Sequence, residues 1–164
     1  MSVTSGAARA AGLMMMLCTA VGDANAAATI LLWPIDPWLG SENKATELWI
    51  QNQGNTPATM QVRIVRWRQE RGDERYQPQT DVVASPPIVT IQKGTKQLIR
   101  LIKQTEIPAG TEQAYRIIVD EIPPAGSSQG QMGIKLQMRY SIPLFIYGKG
   151  ITTYPESANH ALVD

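Results

Sequence analysis

The sequence is short of the residues that covalent cross-links, metal sites and nucleophilic catalysis require: among 164 residues there is one cysteine, Cys18, one histidine, His160, and one phenylalanine, Phe145. A single cysteine excludes an internal disulfide framework, so apolar burial must hold the fold. Zinc and Ser/His/Asp arrangements have only His160 to draw on, close to Asp164 at the end of the chain. Lys and Arg number 15 against 14 Asp and Glu, a formal net charge of +1 that excludes whole-molecule attraction to nucleic acid or to an anionic membrane. Asp120 and Glu121 are adjacent, but strand neighbours face opposite sides, so they read as a solvated pair rather than a catalytic one. Gly148-Lys149-Gly150 lacks the spacing and the following Ser/Thr of a phosphate-binding loop. No enzyme and no cofactor is expected.

What is present begins with a secretory signal. Arg9, with no acid near it, precedes the apolar run Leu13-Met14-Met15-Met16-Leu17, which is too short to span a bilayer, and Ala24-Asn25-Ala26 supplies a small-x-small cleavage pattern. Residues 1–26 are therefore expected to be removed, taking Cys18 with them; Leu17 is too large for the position before a lipidated cysteine. No other segment approaches membrane-spanning length, so a periplasm-like compartment without membrane insertion fits.

From residue 27 the chain reads as one all-β domain. Alternating or β-branched segments recur at Ala45 to Gln51, Thr59 to Arg68, Pro87 to Gln92, Lys96 to Lys103, Ala114 to Ile122 and Met132 to Tyr147. Turn chemistry separates them, at residues 52–57, Arg71-Gly72-Asp73, Lys93-Gly94, Pro108-Ala109-Gly110 and residues 123–130. This spacing predicts an immunoglobulin-like, seven-stranded antiparallel β-sandwich over residues 27–150, with 151–164 as a tail. Leu48 and Ile50, Met60, Val62 and Ile64, Leu98 and Ile102, and Tyr115, Ile117 and Val119 are expected to face inward. One stretch mixes cations with an aromatic ring: residues 63–75 hold five arginines and Trp67, but also three acids, which reads as a solvated face rather than a nucleic-acid site.

The last predicted strand raises the main question. From Met132 to Leu144 a large apolar side chain occupies every even position, over roughly twice the length of a mean strand of about five to six residues. Two readings remain open at this point. The stripe is either the core side of the final sandwich strand, or an edge meant to pair with another chain, since long regular edges are otherwise blunted.

The segments Ser85-Pro86-Pro87-Ile88-Val89-Thr90-Ile91, Lys96-Gln97-Leu98-Ile99-Arg100-Leu101 and Glu112-Gln113-Ala114-Tyr115-Arg116-Ile117, running into Glu121-Ile122-Pro123-Pro124, carry a resemblance in order and spacing. Over about residues 28 to 150 the chain resembles the N-terminal domain of the periplasmic pilus-assembly chaperones of the chaperone-usher family. Leu31-Leu32-Trp33-Pro34-Ile35-Asp36-Pro37 and Met138-Arg139-Tyr140-Ser141-Ile142-Pro143-Leu144-Phe145 resemble its archaic, Csu-type branch, associated with spore-coat-protein-U-like subunits.

The resemblance implies donor-strand complementation, in which the chaperone's last strand fills the groove of a pilus subunit that lacks one strand of its own, before delivery to an outer-membrane usher. Met132, Ile134, Leu136 and Met138 match the donor positions. Burying four such side chains is worth on the order of 6 to 12 kcal/mol gross, before ordering costs. The family's cationic carboxylate anchors align with Asp36 and Ser141, so that anchor is not carried over; charge logic offers Arg100, Arg139 or Lys149 instead. The family's Asn before Ile-Pro is replaced by Ile118, and its second β-domain is missing from this sequence. The alternative function is a secreted structural immunoglobulin-like domain, or an inactive truncated remnant, with no subunit binding.

Overall fold

The computed structural model describes residues 29–123 and 137–151. The signal, Met132, Ile134 and Leu136, and the tail from residue 152 lie outside the described residues. Among those described the secondary structure is all strand: β1 (Ile30–Trp33), β2 (Trp38–Leu39), β3 (Ala45–Asn52), β4 (Ala58–Glu70), β5 (Asp73–Gln77), β6 (Val82–Ser85), β7 (Ile88–Ile91), β8 (Lys96–Lys103), β9 (Glu112–Ile122) and β10 (Arg139–Tyr147).

Two sheets form an immunoglobulin-like sandwich. One has the order β1-β3-β8-β6; the other runs β2-β10-β9-β4-β5, with β7 also on β4. All pairs are antiparallel except β2 with β10. The seven expected strands are recovered when β1 with β2, and β6 with β7, are each counted as one strand broken between the sheets, and β5 as an added hairpin arm. Both breaks fall at prolines, Pro34 and Pro86, which have no N–H to continue a ladder. The β4–β5 hairpin closes through Arg71 and Gly72, with φ of 54° and 84°, the paired positive angles of a type I′ turn.

The core is the alternation made physical. Leu48, Ile50, Met60, Tyr115, Ile117, Val119 and Leu144 are buried and packed together, and Ile64 lies half-buried against them. One expectation is corrected. In β8 the buried residues are Ile99 and Leu101, and Leu98 and Ile102 face outward. Leu98, Ile99, Leu101 and Ile102 make both phases of the strand apolar, so alternation alone cannot choose; pairing of Ile99 with buried Leu48 does.

Asn52 is fully buried and fully used. Its Nδ2 donates to the carbonyls of Thr56 (2.8 Å) and Ile91 (3.0 Å), and its Oδ1 accepts from the Gly54 amide (2.9 Å). Asn52→Leu leaves those main-chain groups unpaired, and we expect a loss of about 2 to 3 kcal/mol, read as a lower urea midpoint at unchanged slope. A second polar hub ties β4, β9 and the start of β6 together: the Asp81 carboxylate accepts from Arg66 and from the Tyr115 hydroxyl (2.7 Å), and burial pushes the Tyr115 phenol well above its ordinary pKa.

Candidate binding edge

β10 is flanked unequally. β9 accompanies it from Arg139, opposite Asp120, to Tyr147, opposite Glu112. On its other side β2 meets only Phe145 and Ile146. Among the described residues, Arg139 to Leu144 therefore present an open edge.

The phase of that edge follows from one residue. Pro143 has no N–H, so its donor side must turn away from β9. The Glu121 amide donates to the Met138 carbonyl, which places even-numbered residues toward β9. Period two then turns the main-chain groups of Arg139 and Ser141 outward, where they lack a strand partner.

The apolar stripe changes character along the same strand. Ile142, Leu144 and Ile146 are buried in the sandwich and Tyr140 is half-buried against it, whereas Met138 is 45% exposed. So the C-terminal part of the stripe is core and the part approaching Met138 is not. Beside the open edge lies a hollow of about 390 Å³ lined by Leu32, Ile35, Arg139, Tyr140, Ser141 and Ile142. Ile35, at 73% exposure, projects where the chain has left β1 at Pro34 and not yet reached β2.

Electrostatics concentrate at the start of β10. Asp120 bridges two cations: Arg139 Nε at 2.5 Å from Oδ1 and Arg63 at 2.9 Å from Oδ2. Hydrogen bonding from Arg139, then from Arg63, holds the Asp120 carboxyl below the usual carboxylate range. A depressed folded pKa contributes stability that is present above the unfolded value of about 3.9 and lost as pH falls through the lower folded value. Asp120→Asn is therefore expected to be less stable than the parent at pH 7, by a small margin for a bridge so close to solvent, with the difference vanishing at the acid end. Denaturant unfolding of both proteins from pH 7 down to pH 2 checks this. Glu121 faces the other side, as strand neighbours must, and burial raises its pKa.

Of the three cations offered by charge, only Arg139 borders the hollow. Lys149 is exposed in the turn after β10, and Arg100 is on β8 in the other sheet. Asp36 is exposed in the β1–β2 crossing and Ser141 on the β10 edge, so no cation replaces either at its own position. Asp120 and Arg63 were not singled out as partners of Arg139; the β9–β10 register that aligns Asp120 with Arg139 was the missing signal. Trp67 is covered by the Arg116 guanidinium at 4.0 Å and adjoins Phe145, so its ring is not a free stacking platform.

A two-sheet sandwich with a long strand open over Arg139 to Leu144 beside an apolar hollow defines a class: immunoglobulin-like domains with an accessible edge strand. The family model for pili and flagellar-assembly chaperones, PapD N-terminal domain, matches residues 38–152, and the chain belongs to this family. Within it, the chain is similar at 43% identity (TM-score 0.70) to a chain of the CsuC–CsuE chaperone–tip adhesion subunit pre-assembly complex from the archaic chaperone-usher Csu pili of Acinetobacter baumannii, covering 82% of this chain and 66% of that one. This bears out the Csu-type placement. The YadV chaperone is 25% identical (TM-score 0.57; 80% of this chain, 58% of that chain). The Salmonella enterica SafA pilin–SafB chaperone complex, 13% identical with a TM-score of 0.63 and coverage of 82% and 62%, shares the fold. The chain thus spans less than two thirds of the length of each. No curated protein matches it.

Proposed function

We propose that this chain is the subunit-binding domain of a periplasmic, non-enzymatic pilus chaperone, and that it captures an incomplete pilus subunit by strand addition along β10. The observation that carries this reading is the passage of one apolar stripe from buried Ile142 to exposed Met138 along an edge with no neighbour strand among the described residues. Main-chain groups of Arg139 and Ser141 supply hydrogen bonds, the hollow at Leu32 and Ile35 receives apolar side chains, and Met132, Ile134, Leu136 and Met138 are the residues donated to the guest. Arg139, steadied by Asp120, is the cation placed to meet a subunit carboxylate; Lys149 sits beyond the far end of β10 and Arg100 on the other sheet. Secretion by residues 1–26, delivery to an outer-membrane usher and cooperation with a second β-domain complete the reading. The CsuC–CsuE assembly, in which a related chaperone accompanies a tip adhesion subunit, supports it by analogy.

Hydrogen exchange tests the proposal. Amides of residues 126–138 are expected to exchange fast in the isolated protein and slowly when it is co-purified with a pilus subunit. Strong protection without any partner would instead identify a self-contained structural domain.

A further inference from the structure

The outer face of the four-stranded sheet is more apolar than a solvated surface requires, and two of its charges, Glu47 and Arg100, form no ion pair among the described residues. With Leu48 and Ile50 buried, Glu47 and Trp49 point outward, and register aligns residues from neighbouring strands into rows. Trp33, Trp49 and Leu98 form one row; Ala45, Ile102 and Val83 form another. Trp33 and Trp49 stack at 6.2 Å with an interplanar angle of 12°, Lys96 Nζ lies over the Trp49 ring at 4.7 Å so that the pair offers its outer edge rather than a free ring face, and Leu31 and Val83 are 44% and 41% exposed. Between the apolar rows Glu47 lies directly opposite Arg100, yet among the described residues neither forms an ion pair.

We infer that this face docks a second copy of the chain, sheet against sheet. The argument is one of self-complementarity. A two-fold axis parallel to the strands, midway between β3 and β8, carries each β3 residue onto the β8 residue of the same row in the other copy. Trp49 then meets Leu98, Ala45 meets Ile102, and Glu47 meets Arg100, twice over. Aligned packing of two sheets at about 10 Å brings those side chains together. Apolar rows that include tryptophan, flanking a charged row, are features of association surfaces. Two strands of eight residues and two of four, about 4.8 Å apart, cover roughly 400 Å² per copy. A stable complex buries about 800 Å² per partner, so this dimer is reversible and forms in the micromolar range. The inference is independent of β10, which belongs to the other sheet and keeps its edge free.

Sedimentation equilibrium of the purified chain, over concentrations spanning the micromolar range, is expected to show mass rising from monomer to dimer. Glu47→Arg and Arg100→Glu, both at exposed positions, should each weaken the dimer by about tenfold or more, and the double exchange should restore it to within about threefold of the parent. Thermal melts verify that all three variants fold. Monomer at every concentration, a dimer indifferent to both single reversals, or a double exchange without rescue would each overturn the assignment.

Discussion

Ser141→Pro is expected to leave the sandwich folded while weakening capture of a pilus subunit by tenfold to about a hundredfold. The N–H of Ser141 faces away from β9, so a pyrrolidine ring there removes no bond of the native ladder, and the preceding Tyr140 is already extended as proline requires. A guest strand loses more. Its carbonyl opposite Ser141 is stripped of a donor and shielded from water, at about 1 to 3 kcal/mol, and every 1.4 kcal/mol is about tenfold in affinity. Ile142→Pro is the internal contrast, because it deletes a donor toward β9 beside a side chain already in the core and is expected to unfold the domain. Affinity titration against a purified subunit, with thermal melts of both variants, measures the two effects separately. Undiminished affinity in a folded Ser141→Pro protein would remove the edge from the mechanism.

Gly148→Ala is expected to be the most damaging single methyl group in the described part of the molecule. A Cβ at Gly148 would lie 2.1 Å from the Pro108 carbonyl oxygen, 2.9 Å from its carbon and 3.1 Å from the Thr111 oxygen, all of them backbone atoms. Neither side can retreat. The Gly148 amide donates to Thr111 O at 2.8 Å, Gly110 N donates to Lys149 O at 2.9 Å, and Thr111 holds Pro108 O through both its amide and its hydroxyl. Overpacking against fixed backbone belongs to the rare large class of substitutions, and we expect a loss of about 4 kcal/mol or more, a large part of the 5 to 15 kcal/mol of a typical domain. Gly110→Ala, with open space around it and only a φ of 75° to strain, should cost about 1 to 2 kcal/mol. Urea midpoints of the two variants in one series decide the point; equal losses would mean that the crossing is looser than its hydrogen bonds indicate.

Long alternating strands were legible, as was the four-residue β7 within Pro87 to Gln92, whereas other short strands and the polar β5 were not. β8 was read from Lys96 to Lys103 and observed there, and β3 and β9 differ by two residues or fewer at either end. β2, at two residues, and β1 and β6, at four each, are too brief to display a period, and β5 is exposed throughout and carries no apolar side to alternate. The existence of β1, β2 and β6 as separate strands depends on Pro34 and Pro86 releasing the chain from one sheet toward the other. The candidate site divides in the same manner. The apolar stripe was visible because it is local, but the point at which it leaves the core, between Ile142 and Met138, depends on how far the opposite sheet reaches. An open edge is a statement about what does not lie beside a strand. Only the departure of β1 at Trp33, and the arrival of β2 as late as Phe145, determine it.

The short parallel contact of β2 with Phe145 and Ile146 has a bearing on alignment. A visiting strand sliding along β10 toward its C-terminal end collides with Trp38 and can advance no further, whereas nothing among the described residues halts it in the direction of Gln137. If subunits are captured as proposed, slippage would be barred one way only, and the guest would be indexed from that barrier as cloth is measured from the end of a yardstick. Lengthening or deleting those two residues should shift which of the visitor's side chains fall into the hollow, in steps of two.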